Sequence, residues 1–268
     1  MIPSTHGLRA LLDSLALPSG RIILIHARIK GLQAYTGLSY GALTQTLVAG
    51  LQAYRPLSLL VPAYTIYGFL RSRLFHRRFS LSETGRFSEE IRQHIPCWRS
   101  PDPMYSLLDL NDYVPQLALD YSATFAPGGL FEHLYQQNAI ILNIDMPGFW
   151  ATPIHAIELR HQVNYRHLRQ VSGILYLDET HWQSVNYTAY VRNMDANCHA
   201  YPLYDQRKRW QFLLEEQILH VHQQGDMYFS WGEIQTFAHS ISKALSTDAC
   251  FLLAAKHLKR DPANPWLT

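Results

Sequence analysis

Three short runs of aliphatic residues constrain the fold most. They are residues 21–27 (RIILIHA), 57–61 (LSLLV) and 139–144 (AIILNI). Each is rich in β-branched or leucine side chains and reads as a buried strand. Between the first two, a loop runs through Gly31 and Gly37, and Ser39 is placed to cap a helix over residues 40–54. Strand, loop, helix and strand in that order is the signature of an α/β domain with at least some parallel pairing. Pro62 closes the second strand.

The rest of the chain extends the pattern. Leu8, Leu11, Leu12, Leu15 and Leu17 form an amphipathic helix ended by Pro18-Ser19-Gly20. Residues 64–87 read as a long irregular stretch carrying Arg71, Arg73, His76, Arg77 and Arg78, and long structured loops are often functional. Helices are expected over 130–137, 152–160 and 206–222, and strands over 172–177 and 183–191. In the last strand Val185, Tyr187, Ala189 and Val191 alternate, as on a half-buried edge. Residues 231–256 are expected to form two helices. The expected architecture is a single three-layer α/β/α domain around a mixed sheet, spanning residues 1–268, with the part beyond about 180 least defined.

Composition narrows the functions. The chain has 268 residues, 47% hydrophobic and 16% charged, which is enough for a substantial core and argues against disorder. A net charge of +2 is too mild to indicate nucleic acid by itself. The three cysteines, Cys97, Cys198 and Cys250, are far apart and form neither a disulfide framework nor a zinc ribbon pattern. No signal peptide is expected, and no apolar run reaches transmembrane length, so the expectation is a cytoplasmic protein without a membrane partner.

Four patterns could carry chemistry. In Thr152-Pro153-Ile154-His155-Ala156-Ile157-Glu158 the imidazole and the carboxylate are three apart and share a helix face. A carboxylate so placed can orient a histidine and stabilise its charged form, which is the logic of a general base. H-x-x-E is nonetheless a common accident. Arg99-Ser100-Pro101-Asp102-Pro103-Met104-Tyr105-Ser106 is a proline-stiffened loop that could hold hydroxyls and a guanidinium in fixed directions, or an ordinary turn. The helix start at residues 32–40 offers free N–H groups for a pyrophosphate, without a Walker or Rossmann fingerprint. The basic stretch 71–78 could add phosphate contacts or be a solvated loop. The fourteen histidines include no H-E-x-x-H, and on a helix His220 and His222 would face apart, so no metal is expected.

In this order the segments resemble the aminoglycoside 3-N-acetyltransferase family. The matching segments are His26-Ala27-Arg28-Ile29, Val61-Pro62-Ala63-Tyr64-Thr65, the Arg99–Ser106 loop, the Thr152–Glu158 helix start and Tyr165-Arg166, covering roughly residues 5 to 175. The resemblance implies an acyl-CoA donor, acetyl or longer, an amino-sugar acceptor, and His155 as base with Glu158 as its partner. It places the donor near Arg28, Leu38, Ser39 and Tyr40, with Arg99, Ser100 and Ser106 nearby. It places the acceptor near Tyr64, Thr65, Asp102 and Tyr165. Departures are visible: Ala27 and Arg28 replace the first loop's serines, and Asp102 stands where a histidine is common. Arg28 would then reach a phosphate in place of a hydroxyl contact.

Direct attack of the amine on the thioester follows from this reading, with Ser100 or Thr65 as candidate donors to the thioester oxygen. The slightly basic chain, sixteen tyrosines and six tryptophans favour an anionic acceptor, such as a nucleotide-linked amino sugar for surface-polysaccharide synthesis. An aminoglycoside antibiotic acceptor and a non-catalytic sugar- or nucleotide-binding relative are the alternatives. A nucleic-acid binder resting on Arg71–Arg78 and Arg207-Lys208-Arg209 lacks any module. The sequence leaves the acyl group, regiochemistry and oligomeric state, a homodimer included, open.

Overall fold

The structure is a computed structural model that describes residues 5–193 and 203–254. In chain order its first half runs α1 (Thr5–Ser14), β1 (Ile22–Ala27), α2 (Lys30–Thr36), α3 (Tyr40–Gln52), β2 (Ser58–Pro62), α4 (Ile66–Ser72), β3 (Leu74–His76), α5 (Arg86–His94), β4 (Trp98–Arg99) and β5 (Leu107–Asp109). The second half runs α6 (Leu130–Gln136), β6 (Ile140–Ile144), α7 (Ile154–Arg160), β7 (Arg166–Tyr176), β8 (Trp182–Arg192), α8 (Gln206–Glu215), β9 (His220–Gln224), β10 (Met227–Glu233) and α9 (Ile234–Thr247).

Seven strands form one mixed sheet in the order β4-β5-β2-β1-β6-β10-β9. The three aliphatic runs are its parallel centre, with β1 between β2 and β6. Alternation along them sorts the core onto two faces. Ile23, Ile25, Leu59, Val61, Ile140 and Leu142 pack with α1, α2, α3 and α5. Ile22, Leu24, Leu60 and Ile141 pack with α4, α6, α7, α8 and α9. That is a three-layer α/β/α sandwich. The chain leaves β1 toward β2 on one side and returns as β6 on the other. The carboxyl end of β1 is therefore a topological switch point, where open α/β sheets leave a crevice for ligands.

A second sheet, β3-β7-β8, covers the same face as α7 and α8. Its long hairpin β7–β8 stays in register from Arg166↔Arg192 to Tyr176↔Trp182. The contact with the end of α4, just before β3, is close: a Cβ on Gly173 would lie 2.6 Å from the carbonyl of Arg73 and 2.7 Å from the Phe69 ring.

Several local expectations need correction. The 64–87 stretch is not irregular; it holds α4, β3 and the start of α5. The expected loop through Gly31 contains α2, which ends with Gly37 in the left-handed region at φ 68°. The helix expected over 206–222 stops at Glu215, Gln217 turns left-handed at φ 55°, and the chain continues as β9. His220 and His222 are thus on a strand, where residues two apart share a face. Of the two helices expected over 231–256, the structure has one, α9, preceded by β10; residues 255 and 256 lie outside the described residues. Met227, Phe229 and Trp231 alternate inward from β10 onto the α1 face, a period-two signal that outweighs the helical one. Cys198 also lies outside the described residues. Among the described residues no helix is long and apolar enough to cross a membrane.

Candidate active site

A cleft of about 850 Å³ opens beyond the carboxyl ends of β1 and β2. That is within the usual range for small-molecule sites. His26 and Ala27 at the end of β1, Tyr64 after β2, Thr152 and His155 at the start of α7, and Arg166 on β7 all line it. Pro153 precedes α7, where a fixed φ suits a helix start. One turn then brings His155 and Glu158 together, with Nδ1 of the imidazole 2.7 Å from Oε2 of the carboxylate.

Glu158 is fully buried and serves three groups. Besides His155, Arg166 Nε lies 3.0 Å from Oε2, and the Tyr204 hydroxyl donates to Oε1 at 2.6 Å. Arg166 Nε also donates to the Tyr204 oxygen at 2.9 Å. Burial alone would raise the Glu158 pKa; the His155 hydrogen bond, the Arg166 charge and the Tyr204 hydroxyl together hold it at about 2. An ionised carboxylate only accepts hydrogen bonds, so the proton of a neutral His155 must sit on Nδ1. Nε2 then carries the lone pair; among the described residues the ring's one side-chain hydrogen bond is that of Nδ1.

Burial and the nearby Arg166 charge lower the His155 pKa to about 4, against the upward pull of Glu158. The balance has a simple cause. Arg166 already neutralises Glu158, so the ring sees an ion pair, not a lone anion, and loss of hydration decides. The rings of Phe125, Tyr204 and Tyr105 stand 5.4, 6.1 and 6.3 Å from the imidazole centroid and shield most of it from water.

Of the other residues singled out in the sequence, only Tyr64 is in the cleft wall, its hydroxyl donating to Thr152 Oγ1 at 2.7 Å. Arg28 follows cleft-lining Ala27 and is exposed. Ser39 caps α3 by accepting from Ala42 N at 3.3 Å, Leu38 packs against the core of the α1 face, and Tyr40 lies under the Arg86 guanidinium at 4.0 Å. None of these four lines the cleft.

The Arg99–Ser106 loop reaches the wall only through Met104 and Tyr105; its polar side chains bond to the loop itself and to neighbouring segments. Arg99 donates to Ser106 Oγ at 3.0 Å and to the carbonyl of Ala63 at 2.5 Å, and burial lowers its pKa to about 9. Ser100 Oγ accepts from Leu107 N at 2.9 Å, and Ser106 Oγ donates to Ala63 O at 2.7 Å. Thr65 Oγ1 donates to Pro103 O at 2.7 Å. Asp102 accepts from the backbone N–H groups of Met104 and Tyr105 and from Thr124 and Tyr187, with a pKa raised by burial. Tyr165 is buried near Glu158 and Tyr204, outside the wall. The hydroxyls of Ser100 and Thr65 are thus engaged by an amide and a carbonyl of the chain, and that of Tyr64 by Thr152, which lines the cleft beside it.

Arg166, Tyr204 and His26 have no assigned role in the sequence, and Arg209 figures there only in the nucleic-acid alternative. Two signals were present. Arg166 follows Tyr165 in the last matched segment, and alternation along β1 puts His26 on the same face as Leu24, toward α7. The arginine-rich stretch 71–78 is not in the cleft; Arg77 and Arg78 border a separate depression, and Arg78 pairs with Glu179 at 3.0 Å. The cleft's own arginines are Arg166, Arg169, Arg192 and Arg209, from β7, β8 and α8. Among the described residues no three His, Cys, Asp or Glu side chains are grouped to hold a metal ion.

No protein-family model matches the sequence, and no curated protein matches it in sequence. Solved structures do match. The AAC-IIIb binary structure with CoASH superposes with a TM-score of 0.71 at 14% identity, over 91% of this chain and 96% of that one. The chain has the fold of the aminoglycoside 3-N-acetyltransferases. A mutant of aminoglycoside acetyltransferase AAC(3)-IVa in complex with a gentamicin gives a TM-score of 0.67 at 17% identity, over 94% and 91% of the two chains. The YokD protein of Bacillus subtilis gives 0.72 at 12% identity, over 93% and 95%. The fold match therefore runs into the C-terminal third, beyond the sequence motifs, which end near residue 175.

Proposed function

We propose that the protein moves an acyl group from an acyl-CoA to the amine of a sugar by direct attack, with His155 as general base and Glu158 as its orienting partner. The observation that carries this reading is the dyad: an ionised, buried carboxylate on Nδ1 and an unpartnered Nε2 on the wall of a cleft. His155 takes the proton as the amine nitrogen bonds to the thioester carbon; the carbon–sulfur bond then breaks, and the imidazolium returns that proton to the departing sulfur to give the thiol. Glu158 and Tyr204 hold the ring through the imidazolium stage. Thr152, whose Oγ1 accepts from Tyr64, keeps its own proton to donate to the thioester oxygen.

The cleft suits the donor. Ile25, Ala27, Ile66, Leu70, Met104 and Met146 give an apolar wall for a pantetheine arm. We assign the pyrophosphate to Arg28, next to cleft-lining Ala27, and to the α3 start at Ser39 and Tyr40. A CoASH complex with this fold supports the same donor.

For the acceptor, four arginines and one carboxylate, Glu83, line the cleft. That balance favours an anion, and a nucleotide-linked amino sugar fits it. The second reading, an aminoglycoside acceptor, is favoured by the gentamicin complex of a structure with this fold. Thiol release from acetyl-CoA with nucleotide-linked 3-amino and 4-amino sugars, set against kanamycin-type polycations, separates them. Preference for the polycations overturns the anionic choice. Binding without thiol release across the panel favours the non-catalytic alternative.

His155→Ala should lower kcat by about 10²–10⁴ while CoA still binds. Wild-type turnover in that variant sinks the base assignment.

A further inference from the structure

Among the described residues, five buried side-chain polar atoms have no hydrogen-bond partner, and three of them, His26 Nε2, Tyr190 Oη and Arg209 Nε, belong to residues that line the cleft. Native structures leave few such atoms unpaired, so a cluster of them beside a cleft points to a polar ligand.

Arg209 is the most demanding of the three. Only 4% of it is exposed. Its neighbours in Arg207-Lys208-Arg209 point to solvent, while Arg209 turns inward from α8. Its Nη2 donates to the carbonyl of Phe149 at 2.7 Å and to Gln206 Oε1, and the remaining nitrogens make no hydrogen bond among the described residues. Arg166, in the same wall, has Glu158; Arg209 has no carboxylate within ion-pair distance among the described residues. A buried guanidinium without a counter-ion is costly unless something anionic reaches it.

The sheet brings His26 toward the same place. His26 is the β1 partner of Asn143 on β6. The Asn143 amide brackets the Trp150 backbone, donating to its carbonyl at 2.9 Å and accepting from its N–H at 2.7 Å. The carbonyl just before, Phe149, is the one that Arg209 holds. Burial and the Arg209 charge lower the His26 pKa to about 4, so the ring is neutral and can present an N–H.

We propose that Arg209, with His26, is the seat of a compact oxyanion carried by the acceptor, a phosphate or a carboxylate. The name of the occupant rests on the acyltransferase reading; the anion seat itself does not. A planar guanidinium fork matches either group. Seating the anion there would fix the acceptor relative to His155, across the same cleft.

The test uses binding, without turnover. Pyrophosphate and glucuronate are titrated by calorimetry into wild-type protein, into Arg209→Met and into Arg209→Lys, with and without saturating CoA, and thermal shifts are recorded alongside. At least one of the two anions should bind wild type and raise its Tm, and which one does so distinguishes phosphate from carboxylate. Arg209→Met should weaken that anion about tenfold or more. Arg209→Lys, which keeps a charge but loses the fork, should weaken it several-fold and serves if the methionine variant does not fold. CoA should leave the anion's affinity within about twofold, since the two sites are separate. The proposal fails if neither anion binds wild type, if the folded variants bind as wild type does, or if CoA displaces the anion, which would assign the seat to the donor. Arg209-dependent binding without any acyl transfer would keep the anion seat and sink the proposed reaction.

Discussion

At position 155 the chain places a histidine whose chemistry is set by what surrounds its partner. A free imidazole titrates near 6.5; this one, largely desolvated in the cleft wall beside the Arg166–Glu158 pair, is lowered to about 4. It is therefore an unprotonated base throughout the neutral range. If His155 serves as proposed, log kcat/KM should rise with slope one from about pH 5 to the amine pKa near 8, because only the substrate titrates there. Arg166→Met removes the charge that neutralises Glu158, so the His155 pKa moves up. A second break then enters the range, activity being lost as pH falls through the raised pKa. Arg166→Lys should restore the single slope. Breaking the buried pair should also cost about 3–5 kcal/mol in Arg166→Met, visible in denaturant titration. A wild-type profile that already bends with slope two below 6.5 would mean that the imidazole is not held dry.

Among the elements, those that carry their own short-range signal were legible in sequence. The aliphatic strands β1, β2 and β6, helix α3 with its Ser39 cap, and the start of α7 at Thr152 all lie within two residues of expectation. The helix spacing that joins His155 to Glu158 is local, and so it was readable too. What was not readable depends on distant partners. β7 begins at Arg166, six residues before the expected strand, because its exposed first half is held by pairing with β8 and not by apolar content. β3 has three residues and exists only as the parallel neighbour of β7. Arg99, Ser100, Ser106 and Asp102 look like ligands in sequence, yet their partners are chain carbonyls, amides and hydroxyls brought up by other elements. The same dependence makes a prediction. Gly173 sits where β7 meets the Arg73 carbonyl and the Phe69 ring, with no room for a methyl group. Gly173→Ala should force β3 and β7 apart, costing about 1–3 kcal/mol by denaturant unfolding. An unchanged midpoint would mean that the second sheet is not tightly held to α4.

Across the whole molecule, a formal charge of +2 understates the asymmetry at the cleft, where the cations come from the second sheet and α8. The shared fold supplies the scaffold and the switch-point crevice, while the hairpin β7–β8 sets the sign of the field that an acceptor meets. Arg169 tests this. It is exposed on β7, lines the cleft, and takes no part in the Glu158 network. Arg169→Glu should raise KM for an anionic amino sugar several-fold at low salt, with most of the effect falling on KM, not kcat. The difference should shrink toward 0.5 M salt, roughly, as the Debye length falls to a few ångströms. A polycationic acceptor should respond in the opposite direction, since the reversed charge attracts it. An anionic acceptor whose KM ignores the reversal at low salt would show that local contacts, and not the field of the cleft, choose the substrate.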